Sequence, residues 1–423
     1  MLVLRNRNIQ VLLFVSLIIL EILIVHQVTD LASEMGNWAE KSKEILNLRI
    51  PTSNFYGPGS ALMLIPFLWN GPTYFLAILV YGASGAFFYF KLCENISHQK
   101  WRLFALLALP SNFYLIWQFY SSQDTVFEFF LLNLALWALI SNKWIFFIIS
   151  TYILAETRSQ YWVLFLSVSI VKVYFILKNK QGFSLRYILA FPLLALTMIF
   201  NYANYGSPSP ALEGGITAEM SYSKYYYLSH PKFDVDVFLS GPNSPLAPGH
   251  AEKETKGMTS AQIDKFYARE AIKSIRENPK ETILGWMQKV DSYVFDTQKI
   301  PHLPGTYLLN TKDMTIEIKN ERLQWQLVIG NLFYQIYRSA LVILGLIAFG
   351  ICFAYRRNNG FRRTINPISW LALPWICGLV PGVLIYTETR FKIVAELVLF
   401  PLVAMVYSKF HEEEAKKELL NLG

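Results

Sequence analysis

Apolar residues in this chain come in long unbroken runs, not at the spaced positions of a soluble fold. Runs near 9–28, 73–93, 103–119, 123–141, 144–156, 161–177, 187–203, 335–355, 366–385 and 391–408 are rich in Leu, Ile and Phe around the whole helical circumference. A helix that is apolar on every side is not a surface helix. About 20 such residues cross a bilayer, so the pattern predicts an all-α polytopic membrane protein with about ten transmembrane helices.

Composition agrees: 53% of residues are hydrophobic and only 16% are charged, against about 25% charged in an average soluble domain. A disordered chain, a collagen-like repeat and a soluble single-core enzyme are excluded. Cys93, Cys352 and Cys377 lie in or beside apolar runs without a CxxC spacing, and so read as small apolar residues.

The net charge of +8 could suggest a nucleic-acid partner, but its location argues against one. Basic residues cluster at Arg5 and Arg7, at Lys91, Lys100 and Arg102, at Lys143, at Lys178, Lys180 and Arg186, and at Arg356, Arg357, Arg362 and Arg363. These positions fall at every second helix end, the positive-inside pattern, and predict that both termini are cytoplasmic. The excess therefore reports topology and no nucleic-acid partner. The first run exceeds the usual apolar region of a signal peptide, and no small-residue cleavage site precedes Asp30, so an uncleaved span is expected.

Three units follow: an N-terminal membrane module (1–203) with its first outer loop at 29–72, an extracytoplasmic segment (204–334), and a C-terminal membrane module with a cytoplasmic tail (335–423). In the first loop, Glu34 to Leu48 has helix-forming residues with Trp38, Ile45 and Leu48 apolar, ended by Pro51 and the Tyr56-Gly57-Pro58-Gly59 break. Ser60 to Trp69 is too short to span and is expected to be re-entrant or interfacial. The second segment carries 14 basic and 15 acidic residues between 204 and 323. It predicts a small helical cap with helices at 260–278, stopped by Pro279, and at 281–295.

Ionisable groups at or inside a bilayer are costly and so mark candidate sites. Arg158 and Arg390 sit in short outer turns, where the positive-inside trend disfavours them, and Arg338 opens the run at 335–355. Such guanidinium groups suit an anionic phosphate or pyrophosphate headgroup. Ion pairing with Glu156 or Glu388, or snorkelling, accounts for the arginines equally well. Glu34 and Asp124 also read as a helix-terminus carboxylate and a helix cap. Asp234 and Asp236 form a DxD that leaves a divalent metal open, and His230, His250 and His302 have no metal-ligand spacing. Glu21, His26, Glu128 and Lys172 are explained by hydrogen bonding between helices as well as by a proton path.

The order of these features resembles the GT-C superfamily of integral membrane glycosyltransferases, in particular protein O-mannosyltransferases and lipid A aminoarabinose transferases. The residues concerned are Glu34 with Trp38 and Ala39, the Pro/Gly break and short apolar helix, and Leu109-Pro110 before Asp124. They continue with Glu156-Thr157-Arg158, the aromatic stretch Asn201 to Pro208, and Glu388-Thr389-Arg390-Phe391. The family's first-loop acid is usually Asp, whereas here it is Glu34, with Asp30 the other candidate. The resemblance implies a polyprenyl-phosphate sugar donor and a glycan, lipid or protein acceptor. Glu34 would be the base, with Asp124 the second acid of the site. Arg158, Arg390, Lys392, Arg338, Tyr56 and Glu388 would bind substrate, at a site on the outer face of a bacterial inner membrane. A lipid-linked glycan transporter or flippase, and a non-catalytic assembly protein, are the competing classes; a transporter calls for polar residues across the midplane and inverted repeats.

Overall fold

Pro110 divides what the hydropathy pattern reads as one span into two helices. The computed structural model describes residues 7–28, 36–50, 58–68, 73–121, 124–178, 188–211, 214–222, 254–294, 307–310, 315–318, 321–355, 357, 369–384 and 389–421. Among the described residues, five helical segments are long and apolar enough to cross a bilayer: Arg7–Gln27, Tyr74–Cys93, Tyr161–Lys178, Ile336–Ala354 and Lys392–Lys416. Three more, Thr125–Ile140, Trp144–Thr157 and Trp370–Leu384, are apolar but shorter.

Helix α1 (Arg7–Val28) leads through α2 (Gly36–Leu46) and α3 (Gly59–Leu64) to α4 (Thr73–Cys93). α1 and α4 are antiparallel: Phe14 meets Tyr89 and Phe90 near one end, Ile22 lies over Gly82 towards the other, and Arg7 pairs with Glu94 beyond α4. Pro110 then separates α5 (Gln99–Ala108) from α6 (Phe113–Ser121). Proline offers no N–H to continue the ladder, and the Asn112 side chain restarts it by accepting the Leu115 N–H at 3.2 Å.

α7 (Thr125–Ile140) runs parallel to α4, with Tyr81 on Phe127 and Phe88 on Trp137. A tight turn, with Asn142 at φ 55°, reverses the chain into α8 (Trp144–Thr157). A second turn at 158–160 leads to α9 (Tyr161–Lys178), and α10 (Ala190–Tyr205) closes on Gly206 at φ 76°, a left-handed cap that suits glycine. Arg7, Lys91, Lys100 and Lys143 thus share the end of the bundle opposite Arg158.

In the segment after α10, α11 (Gly214–Tyr222) packs on α12 (Ser260–Glu277), which opens with a reciprocal capping box between Thr259 and Gln262. α13 (Pro279–Val294) follows, with proline at its first position. The segment is not wholly helical: β1 (Tyr307–Asn310) and β2 (Thr315–Ile318) form an antiparallel hairpin pairing Tyr307 with Ile318. α14 (Glu321–Ala354) is one helix of 34 residues, so the boundary expected at 334/335 lies inside it.

α15 (Leu373–Leu384), α16 (Thr389–Leu397) and α17 (Leu399–Asn421) complete the chain. α17 stacks on α5 through Trp101 and Tyr407, with ring centroids 4.4 Å apart. Cys93 and Cys377 are buried thiols and Cys352 is half-buried.

Candidate active site

The sequence at 155–158 places two charges two positions apart, and the fold sends them to different neighbours. α8 ends at Thr157, Arg158 is extended at φ −139° and ψ 113°, and its carbonyl accepts the Tyr161 N–H at 3.0 Å. Its guanidinium turns towards α7, where Nη2 donates to Asp124 Oδ1 at 2.8 Å and to Thr125 Oγ1 at 3.2 Å. Nε lies 3.0 Å from Glu128 Oε2, and Glu128 also accepts the Tyr161 hydroxyl. The Glu156 carboxylate instead accepts from Thr197 on α10 at 2.8 Å, and the Thr197 hydroxyl lies 2.9 Å from that of Tyr152. The expected local pair of Arg158 with Glu156 is therefore replaced by pairs 34 and 30 residues distant.

Asp124 stands at the N-cap position of α7, yet its side chain makes no capping hydrogen bond. The cap reading of this residue is overturned: its carboxylate meets Arg158 instead. The Arg158 side chain is 3% exposed, that of Glu128 is 0% and that of Asp124 is 15%, so Asp124 forms the open edge of the cluster. Glu128, itself held by the Tyr161 hydroxyl, faces the guanidinium from the buried side. This bears out the reading of Glu128 as a partner between helices.

A second cluster lies next to it. Arg338 on α14 donates Nη2 to Glu396 Oε1 on α16 at 2.5 Å and to the Tyr293 carbonyl at 2.7 Å. Lys392 Nζ reaches the same carbonyl at 3.1 Å and sits 5.5 Å from the Tyr293 ring centre. Arg338 and Lys392 are both buried. Tyr293 joins this cluster to the membrane helices. Its hydroxyl donates to the Trp375 carbonyl at 3.0 Å, and its ring occupies the space left by Gly378 and Gly382 on α15. The Gly378 position also faces Gln160, in the Arg158 turn.

No protein-family model, no curated protein and no solved structure is similar to this chain. Geometry alone therefore describes what the clusters can do.

The described part of the segment between α1 and α4 closes onto the same turn. Gly59 opens α3 so near α8 that a Cβ there would stand 2.5 Å from the Thr157 backbone nitrogen. α2 is tied to α3 by Ser42, whose hydroxyl reaches the Ala61 carbonyl at 2.8 Å, and Trp38 is buried as its apolar face requires. The sequence thus names both members of the Asp124–Arg158 pair, Arg338 of the pair with Glu396, and Lys392. It does not single out Glu396 or Tyr293. Both sit in amphipathic or apolar helices, and their only signal is an acid between apolar neighbours in 393–398.

Glu34, Asp30, Tyr56, Glu388, Asp234, Asp236, His230, His250 and His302 lie outside the described residues. Arg390 falls in α16, and its side chain also lies outside them. Among the described residues, no group of three or more His, Cys, Asp and Glu could hold a metal ion. His26 stacks on Phe75 at 4.0 Å and Lys172 lies 5.9 Å from the Trp144 ring centre, packing roles for both.

Proposed function

We propose that the protein is a membrane glycosyltransferase that moves a sugar from a polyprenyl-phosphate donor to an acceptor hydroxyl on the extracytoplasmic side. The observation that carries this reading is the Asp124–Arg158 pair: a helix-opening carboxylate gives up its cap to hold a guanidinium at the mouth of the bundle, directly beside the first outer loop. A guanidinium fixed from behind by Glu128 costs little to reorganise when a phosphate departs. Arg338 and Lys392, in the adjoining cluster, supply further positive charge for the same anion. In this reading about ten spans cross a bacterial inner membrane, both termini are cytoplasmic and the site faces outward.

The chemistry needs one base. The Glu34 carboxylate takes the proton of the acceptor hydroxyl as its oxygen bonds to the anomeric carbon. The bond from that carbon to the phosphate oxygen breaks, and the electron pair leaves on the polyprenyl phosphate. The phosphate is already a good leaving group, so no general acid is required, and a single displacement inverts the anomeric configuration. Arg158 accelerates the step only as far as it binds the departing phosphate better than the intact donor.

The test uses the purified full chain in nanodiscs with a panel of polyprenyl-phosphate sugars and acceptors. Wild-type protein should transfer sugar from one of them, and Glu34→Gln should abolish turnover while melting like wild type. A Glu34→Gln protein with wild-type turnover would remove this residue as the base. Failure of the whole panel, together with facilitated passage of lipid-linked glycan across the membrane, would replace the enzyme by a transporter.

A further inference from the structure

At the end of the bundle opposite Arg158, α5 and α17 leave an open cavity of about 360 Å³ lined by His98, Lys100, Trp101, Phe104 and His411. Its walls are set by ring contacts: Trp101 stacks on Tyr407, and His98 and His411 face each other with centroids 5.4 Å apart. His98 Nδ1 is buried and has no hydrogen-bond partner among the described residues. The nearby carboxylate of Glu412 is already engaged, by the Ser97 hydroxyl and by Lys409 at 3.1 Å. No described carboxylate pairs with Lys100, and Lys100 and His411 are both exposed.

The face of α5 that leaves this cavity changes character along its length. Lys100 is followed at helical spacing by Leu103 and Leu107, which are 56% and 51% exposed. Seven residues of helix cover roughly 10 Å. One stripe therefore passes from a cation beside this histidine- and aromatic-lined cavity to bare apolar surface, over a distance comparable to that from a lipid phosphate to its upper acyl chain. A water-soluble phosphate would have no use for the second half of that stripe.

We infer that this cavity binds the headgroup of an anionic phospholipid, with the phosphate at Lys100, His98 and His411, the glycerol against Trp101 and Phe104, and an acyl chain along Leu103 and Leu107. This site is separate from the proposed transfer site and does not depend on it. Its volume suits a headgroup and not a whole lipid, and the indole and phenyl walls suit the interfacial depth.

Native mass spectrometry of the detergent-solubilised full chain tests this. Dioleoylphosphatidylglycerol should be retained in preference to dioleoylphosphatidylcholine. Lys100→Glu should weaken that retention by about fivefold, the scale of one surface cation near an anionic lipid. His411→Ala should weaken it as well. Leu103→Gln with Leu107→Gln, at exposed positions that leave the core intact, should release the lipid too. Equal retention of the two lipids by wild type, or unchanged retention in the Lys100 and His411 variants, would overturn the site. Displacement of the lipid by glycerol 1-phosphate at matching concentration would show a soluble phosphate pocket and overturn the lipid assignment.

Discussion

Arg158 Nη2 donates to Asp124 Oδ1 at 2.8 Å, and the two residues join the C-terminal end of α8 to the N-terminal end of α7. Behind this pair stands Glu128, fully buried, so the three charges differ in what their loss costs. Glu128→Ala strands the guanidinium in a dry site and should destabilise by about 3–5 kcal/mol. Asp124→Ala removes the more exposed partner and should cost clearly less, while still lowering sugar transfer through a looser Arg158. Melting curves of the two variants read the order. Equal melting temperatures would mean that burial does not set the strength of these contacts.

Gly59 should be intolerant of any side chain. Its Cβ would lie 2.5 Å from backbone nitrogen and 2.6 Å from the Ile153 carbonyl, and backbone cannot move aside as a side-chain tip can. Gly59→Ala should therefore push α3 away from the Arg158 turn and lower turnover with little change in donor affinity. Wild-type kinetics in this variant would show that α3 is not set by that contact.

Arg338 and Glu396 form a buried pair whose value is contextual. Removing one partner leaves a buried charge, at a cost of about 3–5 kcal/mol, whereas replacing both by methionine fills the space without a charge to desolvate. The double variant should accordingly be more stable than either Arg338→Met or Glu396→Met alone. A double variant at the sum of the two losses would contradict this.

Tyr293 and Gly378 make a lock that can be opened from either side. A Cβ at position 378 would stand 2.6 Å from the Tyr293 hydroxyl but 3.7 Å from the ring carbon that carries it. Gly378→Ala should cost about 1–3 kcal/mol by overpacking. Tyr293→Phe removes the colliding oxygen and should rescue most of that loss. No rescue in the double variant would place the strain elsewhere.

Glu219, on α11, is 8% exposed, and burial raises its carboxyl from 4.5 to about 7, helped by Glu270 and Glu254 nearby. Between these two values the folded segment holds a proton that the unfolded chain has lost. Its stability should therefore fall as pH rises from about 4.5 to about 7 and level off above. Hydrogen exchange of the α11 and α12 amides across that range reads the slope, and Glu219→Gln should flatten it. An unchanged slope in that variant would assign the titration to another group.

Individual helices were legible in the sequence wherever a local rule governs them. The stop of α12 before Pro279 and the short apolar α3 follow from proline and run length. The run at 103–119 misled because hydropathy averages over Pro110, which ends α5 whatever the apolarity around it. The paired strands at 307–310 and 315–318 are four residues each, too short for their pattern to stand out from the surrounding sequence.

Charge is where sequence and structure divide. The pattern of apolar runs and basic helix ends is local, because each segment must by itself satisfy the solvent it meets, so membrane character could be read one segment at a time. Whether Asp124 caps its own helix or holds Arg158, and whether Arg158 takes Glu156 or Glu128, could not. Each choice compares a neighbour in the chain with one thirty or more residues away. Only the packing of α7 against α8 and α9, which excludes water and fixes the distances, made the distant partner the stronger one.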